Sequence, residues 1–346
     1  MPADYPGITF DSKGVCGYCL GTQYFGVTRD KEIRERAARK DRLINDFENK
    51  IEQYRGRGEY DCIVPLSGGK DSSYLTYLLR KTYDLRVLAY TLENWLHSPT
   101  AKVNIRHVIA KLGVDHVFVT PKAEFFKRLY RYSLLFAEKK EVEEKGYLQT
   151  TCSACARLIL GTGLKEAVRR EIPFVMTGHG PDQITRYFYE MPNEDVARSW
   201  VPQWLESEQF PEEDKKYFWD PAVDARNTNL PQVISPLHVL EYGNPQKIAT
   251  EVVELGLIEK KNASPRITNC HLAWLLKYVD MKRGYDPFVA RISHRIRTGA
   301  VDRRKSLITL ELINLLVKLG VYRHFIRRRD INLVENFLDI DVKDLI

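Results

Sequence analysis

Residues 61–72 read Asp-Cys-Ile-Val-Pro-Leu-Ser-Gly-Gly-Lys-Asp-Ser. The apolar run Ile63 to Leu66 predicts a buried parallel strand. It meets Ser67, Gly68 and Gly69, after which Asp71 and Ser72 open a helix with Tyr74, Leu75, Leu78 and Leu79 at helical spacing. A strand, a glycine turn and a helix N-terminus together form an anion site. Glycines let the backbone approach, amides point outward, and the helix dipole favours negative charge. Lys70 adds a mobile positive charge. The spacing is not that of a Walker A loop, which needs four residues between its glycine and Gly-Lys.

The pattern continues outward from this turn. Residues 30–56 carry apolar positions at helical spacing. Strands and helices then alternate: strand 86–91, helix 102–112, strand 116–119, helix 123–139, helix 159–170, strand 173–177, strand 233–237 and helix 245–255. This order predicts an α/β fold with a doubly wound parallel sheet covered on both faces. The expected organisation has three parts. Residues 1–56 form an N-terminal Cys-x-x-Cys segment and lead-in helix. Residues 57–262 form the α/β domain, with 192–231 an irregular insertion. Residues 263–346 form a basic, helical C-terminal region. No internal repeat is found.

Composition narrows the setting. The chain has 346 residues, of which 44% are hydrophobic, enough for a real core. No run of 18 apolar residues exists and the first residues have no secretory pattern, so a cytoplasmic protein away from membranes is expected. In that compartment six cysteines point to metal or redox chemistry before disulfides. A net charge of +7 suits an anionic ligand such as a nucleotide, and suits RNA equally.

The cysteines fall into groups. Cys152 and Cys155 have a spacing that reaches one metal or cluster, and is ambiguous among zinc, iron–sulfur and dithiol chemistry. Cys270 stands alone. Cys16 and Cys19 are half of a zinc knuckle, and two ligands do not close a tetrahedral Zn²⁺ site. Cys62 lies in the first strand and is expected to be buried. The basic C-terminal residues, among them Arg295, Arg297, Arg303, Arg304 and Arg327 to Arg329, read as a solvated helix face. RNA is the competing use.

The six residues Ser67-Gly68-Gly69-Lys70-Asp71-Ser72 resemble the signature of the PP-loop ATP pyrophosphatase superfamily. The resemblance implies an adenine-nucleotide α-hydrolase-like fold and an enzyme that binds ATP with Mg²⁺. Such an enzyme adenylates a substrate oxygen, releases pyrophosphate and replaces the oxygen with sulfur or nitrogen. It implies Ser67 to Ser72 as the phosphate loop, with Lys70 and Asp71 catalytic, and the backbone at Tyr90 and Thr91 facing adenine. Gly178-His179, followed by Asp182, resembles the second fingerprint of the thiolating branch. There Asp182 would hold Mg²⁺ or orient phosphates.

Two finer resemblances diverge. The order of PP-loop, Cys152-x-x-Cys155 and distant Cys270 is similar to iron–sulfur tRNA thiolases, implying a three-cysteine [4Fe–4S] cluster and a sulfur donor. Phe10 to Cys19, Arg283 to Asp286 and Asp302 to Leu307 resemble bacterial N-acetyl-sugar amidotransferases. These imply ammonia from a partner glutaminase and an amidine product. A departure is the lack of that family's additional Cys-x-x-Cys. The sulfurtransferase reading leads and the amidotransferase is the alternative. A zinc-stabilised RNA- or partner-binding protein is the third reading, revived if ATP does not bind. A small molecule or sugar is the first acceptor class and tRNA the second, with a homodimer as the default assembly.

Overall fold

A computed structural model of the chain describes residues 5, 8–20, 38–137, 150–180, 189–202, 205, 210–226, 228–240, 245–263, 269–286, 288–297 and 301–346. Five strands form one parallel sheet in the order β3-β2-β1-β4-β5. They are β1 (Cys62–Pro65), β2 (Val87–Leu92), β3 (Asp115–Val119), β4 (Phe174–Met176) and β5 (Gln232–Ile234). The order reverses between β1 and β4, where an open α/β sheet leaves a crevice at its carboxyl edge. This is the doubly wound sheet expected from the sequence.

The longer helices among the described residues are α1 (Lys40–Tyr54), α2 (Lys70–Tyr77), α3 (Pro99–Leu112), α4 (Ala123–Tyr132) and α5 (Thr150–Arg169). They continue with α6 (Pro245–Glu254), α7 (Leu272–Lys282), α8 (Val289–Arg297), α9 (Arg303–Lys318) and α10 (Arg328–Leu338). Alternate strand residues supply the two faces of the sheet, because successive side chains point opposite ways. Val64, Ala89, Met176 and Ile234 pack with Phe47 of α1, Leu75 of α2, Val108 of α3 and Val252 of α6. Ile63, Leu88, Val175 and Val233 pack with Leu164 and Ala167 of α5 and with Trp219. A third cluster joins Phe126 and Tyr130 of α4, Leu158 of α5, Leu275 and Val279 of α7, and Val334 of α10. The C-terminal helices are thereby seated on α4 and the first turns of α5.

Two boundaries depart from the sequence reading. α5 starts at Thr150 and not 159, because the polar run Thr151-Cys-Ser hides two more turns of helix. α3 starts at Pro99, with Ser98 Oγ accepting from the Ala101 amide at 3.1 Å. That is the Ser-Pro start signal the sequence carries. The described residues between 189 and 226 are largely irregular but anchored: Trp219 is fully buried and donates to the Val196 carbonyl at 2.7 Å.

One half-buried histidine sets a pH dependence. Thr91 Oγ1 donates to the Leu66 carbonyl at 2.6 Å and lies 2.9 Å from His116 Nε2. Burial lowers the His116 pKa from 6.5 to about 4. The unfolded chain therefore binds the proton more tightly, so stability is full above pH 6.5 and falls as pH drops toward 4. Thermal melts between pH 7 and 4.5 should fall more steeply for wild type than for His116→Gln. Parallel curves would remove the assignment.

Candidate functional site

The glycine loop at residues 67–72 is closed on itself by its two serines. Ser67 and Ser72 hydroxyls lie 3.2 Å apart, Ser72 Oγ donates to the Gly69 carbonyl at 3.2 Å, and the Gly69 amide donates to Ser67 Oγ at 3.4 Å. Gly69 is the N-cap of α2 and has no side chain to cap it, which leaves the first-turn amides for an anion. Gly68 has φ +75°, and a Cβ there would lie 2.3 Å from the Ala101 carbonyl oxygen. Its own carbonyl accepts from buried Asn104 at 2.9 Å. Lys70 Nζ pairs with Asp71 Oδ1 at 2.5 Å.

The second loop adjoins the first. After β4, Thr177 Oγ1 lies 2.7 Å from Ser235 Oγ and 2.9 Å from His179 Nδ1. A Cβ on Gly178 would stand 3.1 Å from the Ser72 amide nitrogen, so glycine lets this loop touch the first turn of α2. Asp182 lies outside the described residues. The side chains of Tyr90 and Thr91 belong to the core. Tyr90 is fully buried and donates to the Ile159 carbonyl at 2.9 Å, which leaves only backbone at this strand end for a ligand.

The cysteines of the thiol site come from two elements. Cys152 and Cys155 sit on the first turns of α5, three residues apart and so on one face. Cys270 precedes α7. Asn94 Nδ2 donates to Cys270 Sγ at 3.5 Å and also bonds Cys155. Tyr130 Oη is 3.7 Å from Cys155 Sγ. Burial drives the Tyr130 hydroxyl pKa well up, and the nearby Cys155, Cys270 and Cys152 add to the shift. Burial, then the neighbouring Cys155, pushes the Cys270 thiol to about 12, and burial raises Cys155.

Among the described residues no three His, Cys, Asp or Glu side chains are placed to hold a single metal ion. Tetrahedral thiolates around one Zn²⁺ stand about 3.8 Å apart, given bonds of ~2.3 Å. Thiolates on separate corners of an iron–sulfur cube stand roughly 6–7 Å apart. Cys152 is exposed, Cys155 and Cys270 are half-buried, and the Asn94 amide donates to Cys270.

The thiol site and the PP-loop are joined by one short clip. Residues 96–98 run antiparallel to 269–271: the Ser98 amide donates to the Asn269 carbonyl and the His271 amide to the Leu96 carbonyl, both at 2.9 Å. Asn269 Nδ2 then donates to Ser67 Oγ at 3.2 Å. Under the clip, Glu93 Oε1 is 3.2 Å from His97 Nδ1 and Oε2 is 2.8 Å from Lys102 Nζ. Burial opposes ionisation of Glu93, but these partners outweigh it and hold its pKa at about 2. His271 Nδ1 meets Asp330 Oδ1 at 2.7 Å, tying the clip to α10. Asn94, Asn104, Asn269, Tyr130 and Glu93 are absent from the sequence-based site. Only the adjacency of Asn269 to Cys270 signals any of them in the chain itself.

Cys16 and Cys19 lie elsewhere in the sequence. Asp11 Oδ1 accepts from the Lys13 and Val15 amides at 2.9 and 2.8 Å, folding a tight turn that pairs Phe10 with buried Cys16. One helical turn, Gly17–Leu20, carries Cys19. Cys62 is fully buried in β1 as expected.

A parallel sheet ordered 3-2-1-4-5 with this glycine turn after its first strand defines the PP-loop ATP pyrophosphatase superfamily. Within it the chain belongs to the tRNA methyl transferase HUP domain family, whose model matches residues 60–271. An uncharacterized protein of Methanocaldococcus jannaschii is 23% identical over 172 residues, covering 50% of this chain and 53% of that protein. The NMN synthetase of Francisella tularensis overlaps with a TM-score of 0.29 at 18% identity, over 42% of this chain and 55% of its own. The chain thus spans about half the length of each of these two proteins. The U34-tRNA thiolase of Methanococcus maripaludis, solved with its [4Fe–4S] cluster, overlaps with a TM-score of 0.33 at 13% identity. That overlap covers 76% of this chain and 82% of the thiolase. No helix among the described residues is long and apolar enough to cross a membrane.

Proposed function

We propose that the chain is an ATP-dependent sulfurtransferase. ATP lies along the carboxyl edge of the sheet, with its phosphates on the α2 amides and Lys70 and with Mg²⁺ shared with Asp182. A carbonyl or amide oxygen of the acceptor attacks the α-phosphorus, and pyrophosphate leaves. A sulfur nucleophile then adds to the activated carbon, and AMP departs with the former carbonyl oxygen. A [4Fe–4S] cluster held by Cys152, Cys155 and Cys270 would supply an open iron able to carry sulfide. Asn94 and Tyr130 fix the thiols. Asn269 holds Ser67 while the next residue holds its place beside Cys155.

The observation that carries the reading is this adjacency: Cys270 meets Cys155 under Asn94 while its neighbour Asn269 bonds the PP-loop serine. Nucleophile and activated carbon must meet within contact distance, and the clip supports such a meeting. The family's name makes tRNA the first acceptor to try.

The test separates sulfur from nitrogen. Chain purified without oxygen should be brown, with about four irons per chain. With ATP, Mg²⁺, radiolabelled sulfide and bulk tRNA it should form labelled tRNA and pyrophosphate. Cys152→Ala, Cys155→Ala and Cys270→Ala should each lose the label while folded variants still bind ATP. Thermal melts serve as the folding control, because bound metal contributes stability. A folded, iron-free triple variant that turns over with ammonia makes the amidotransferase reading correct instead.

A further inference from the structure

Helix α9 has two apolar stripes, and its own chain covers only one. Ile313, Leu316 and Val317 face inward onto the C-terminal core. On the other side Ile308, Leu312, Leu315 and Leu319 are 56%, 53%, 51% and 66% exposed. Their spacing of four, three and four residues is a coiled-coil seam, reading d-a-d-a. Phe325 and Ile326, just beyond the helix, are 80% and 47% exposed. Together the six leave on the order of 600 Å² of apolar side chain in water, at the upper end of what a monomer shows.

The geometry points to a second copy of this chain as the occupant, packed antiparallel about a two-fold axis beside residues 313 and 314. That arrangement sets Ile308 against the partner's Leu319 and Leu312 against the partner's Leu315. It also brings Glu311 beside the partner's Lys318, and symmetry repeats the pair. Both occupy g positions, which face each other in antiparallel pairs. Neither residue has an ion pair within its own chain among the described residues. A parallel pair would instead stack Lys305, the preceding a position, on the partner's Lys305. The exposed area also suits a dimer, whose partners each bury about 800 Å² in all. This inference is independent of the reaction proposed above.

Sedimentation of the full chain tests it. Wild type should be a dimer at roughly 50 µM, a concentration at which mass action favours any specific pair. Leu315→Glu places a charge in the seam and should weaken association at least about 100-fold. Its circular dichroism should be unchanged, since the side chain already lies in water. Glu311→Lys and Lys318→Glu should each weaken the dimer by about tenfold, and the double swap should restore it. A monomeric wild type overturns the proposal, as does a dimer indifferent to Leu315→Glu. A double swap that does not restore association overturns the antiparallel register. A monomer whose tRNA binding is lost in Leu315→Glu assigns the stripe to nucleic acid and equally overturns it.

Discussion

Gly68→Ala should abolish pyrophosphate release and destabilise the chain by about 3 kcal/mol or more. Two costs combine at this position. The backbone is left-handed at φ +75°, where a Cβ is strained. The new methyl would also meet a backbone oxygen, that of Ala101, at 2.3 Å, and backbone cannot swing aside as a side chain can. Either the turn or the start of α3 must move, and with it the Asn104 bond that fixes the loop. Melting temperature and ATP-dependent pyrophosphate release are the measurements. A stable Gly68→Ala chain with normal pyrophosphate release would show that the turn is not the nucleotide site.

Asp71→Ala should have the opposite profile, with chemistry lost and fold retained. Lys70 and Asp71 are both largely shielded and paired at 2.5 Å, on the first turn of α2 beside Gly178. Removing a preorganised charge at such a site costs about 10²- to 10³-fold in rate. Stability should change little, because the pair lies at a helix N-terminus, outside the core. Pyrophosphate release at wild-type rate in Asp71→Ala would remove the catalytic assignment of this residue.

The sequence made the sheet legible because its strands are short, apolar and separated by helices of clear period. Cys62 to Pro65 and Val87 to Leu92 are buried nearly throughout, which is the continuous apolar run that parallel strands produce. The PP-loop was legible because its chemistry is local, six residues at one turn. The rest of the site is not local. Asn94, Tyr130 and Asn269 act through contacts across the fold, and an asparagine at a strand end has no periodic signature. The first turns of α5 were hidden for a different reason. Thr151, Cys152 and Ser153 are weak helix formers, so propensity masked a helix that tertiary packing holds in place.

The clip between residues 96–98 and 269–271 also governs when the protein becomes complete. The bond from Asn269 to Ser67 spans 202 residues of chain, and that from Asn94 to Cys270 spans 176. Contacts of such separation form late, after the loop-closure entropy has been met. During synthesis the phosphate loop therefore leaves the ribosome long before the residue that braces it. A nascent chain stopped short of residue 269 would present an unbraced PP-loop and two of the three cysteines. The glycine loop and the three cysteines thus reach their final arrangement in a single late event.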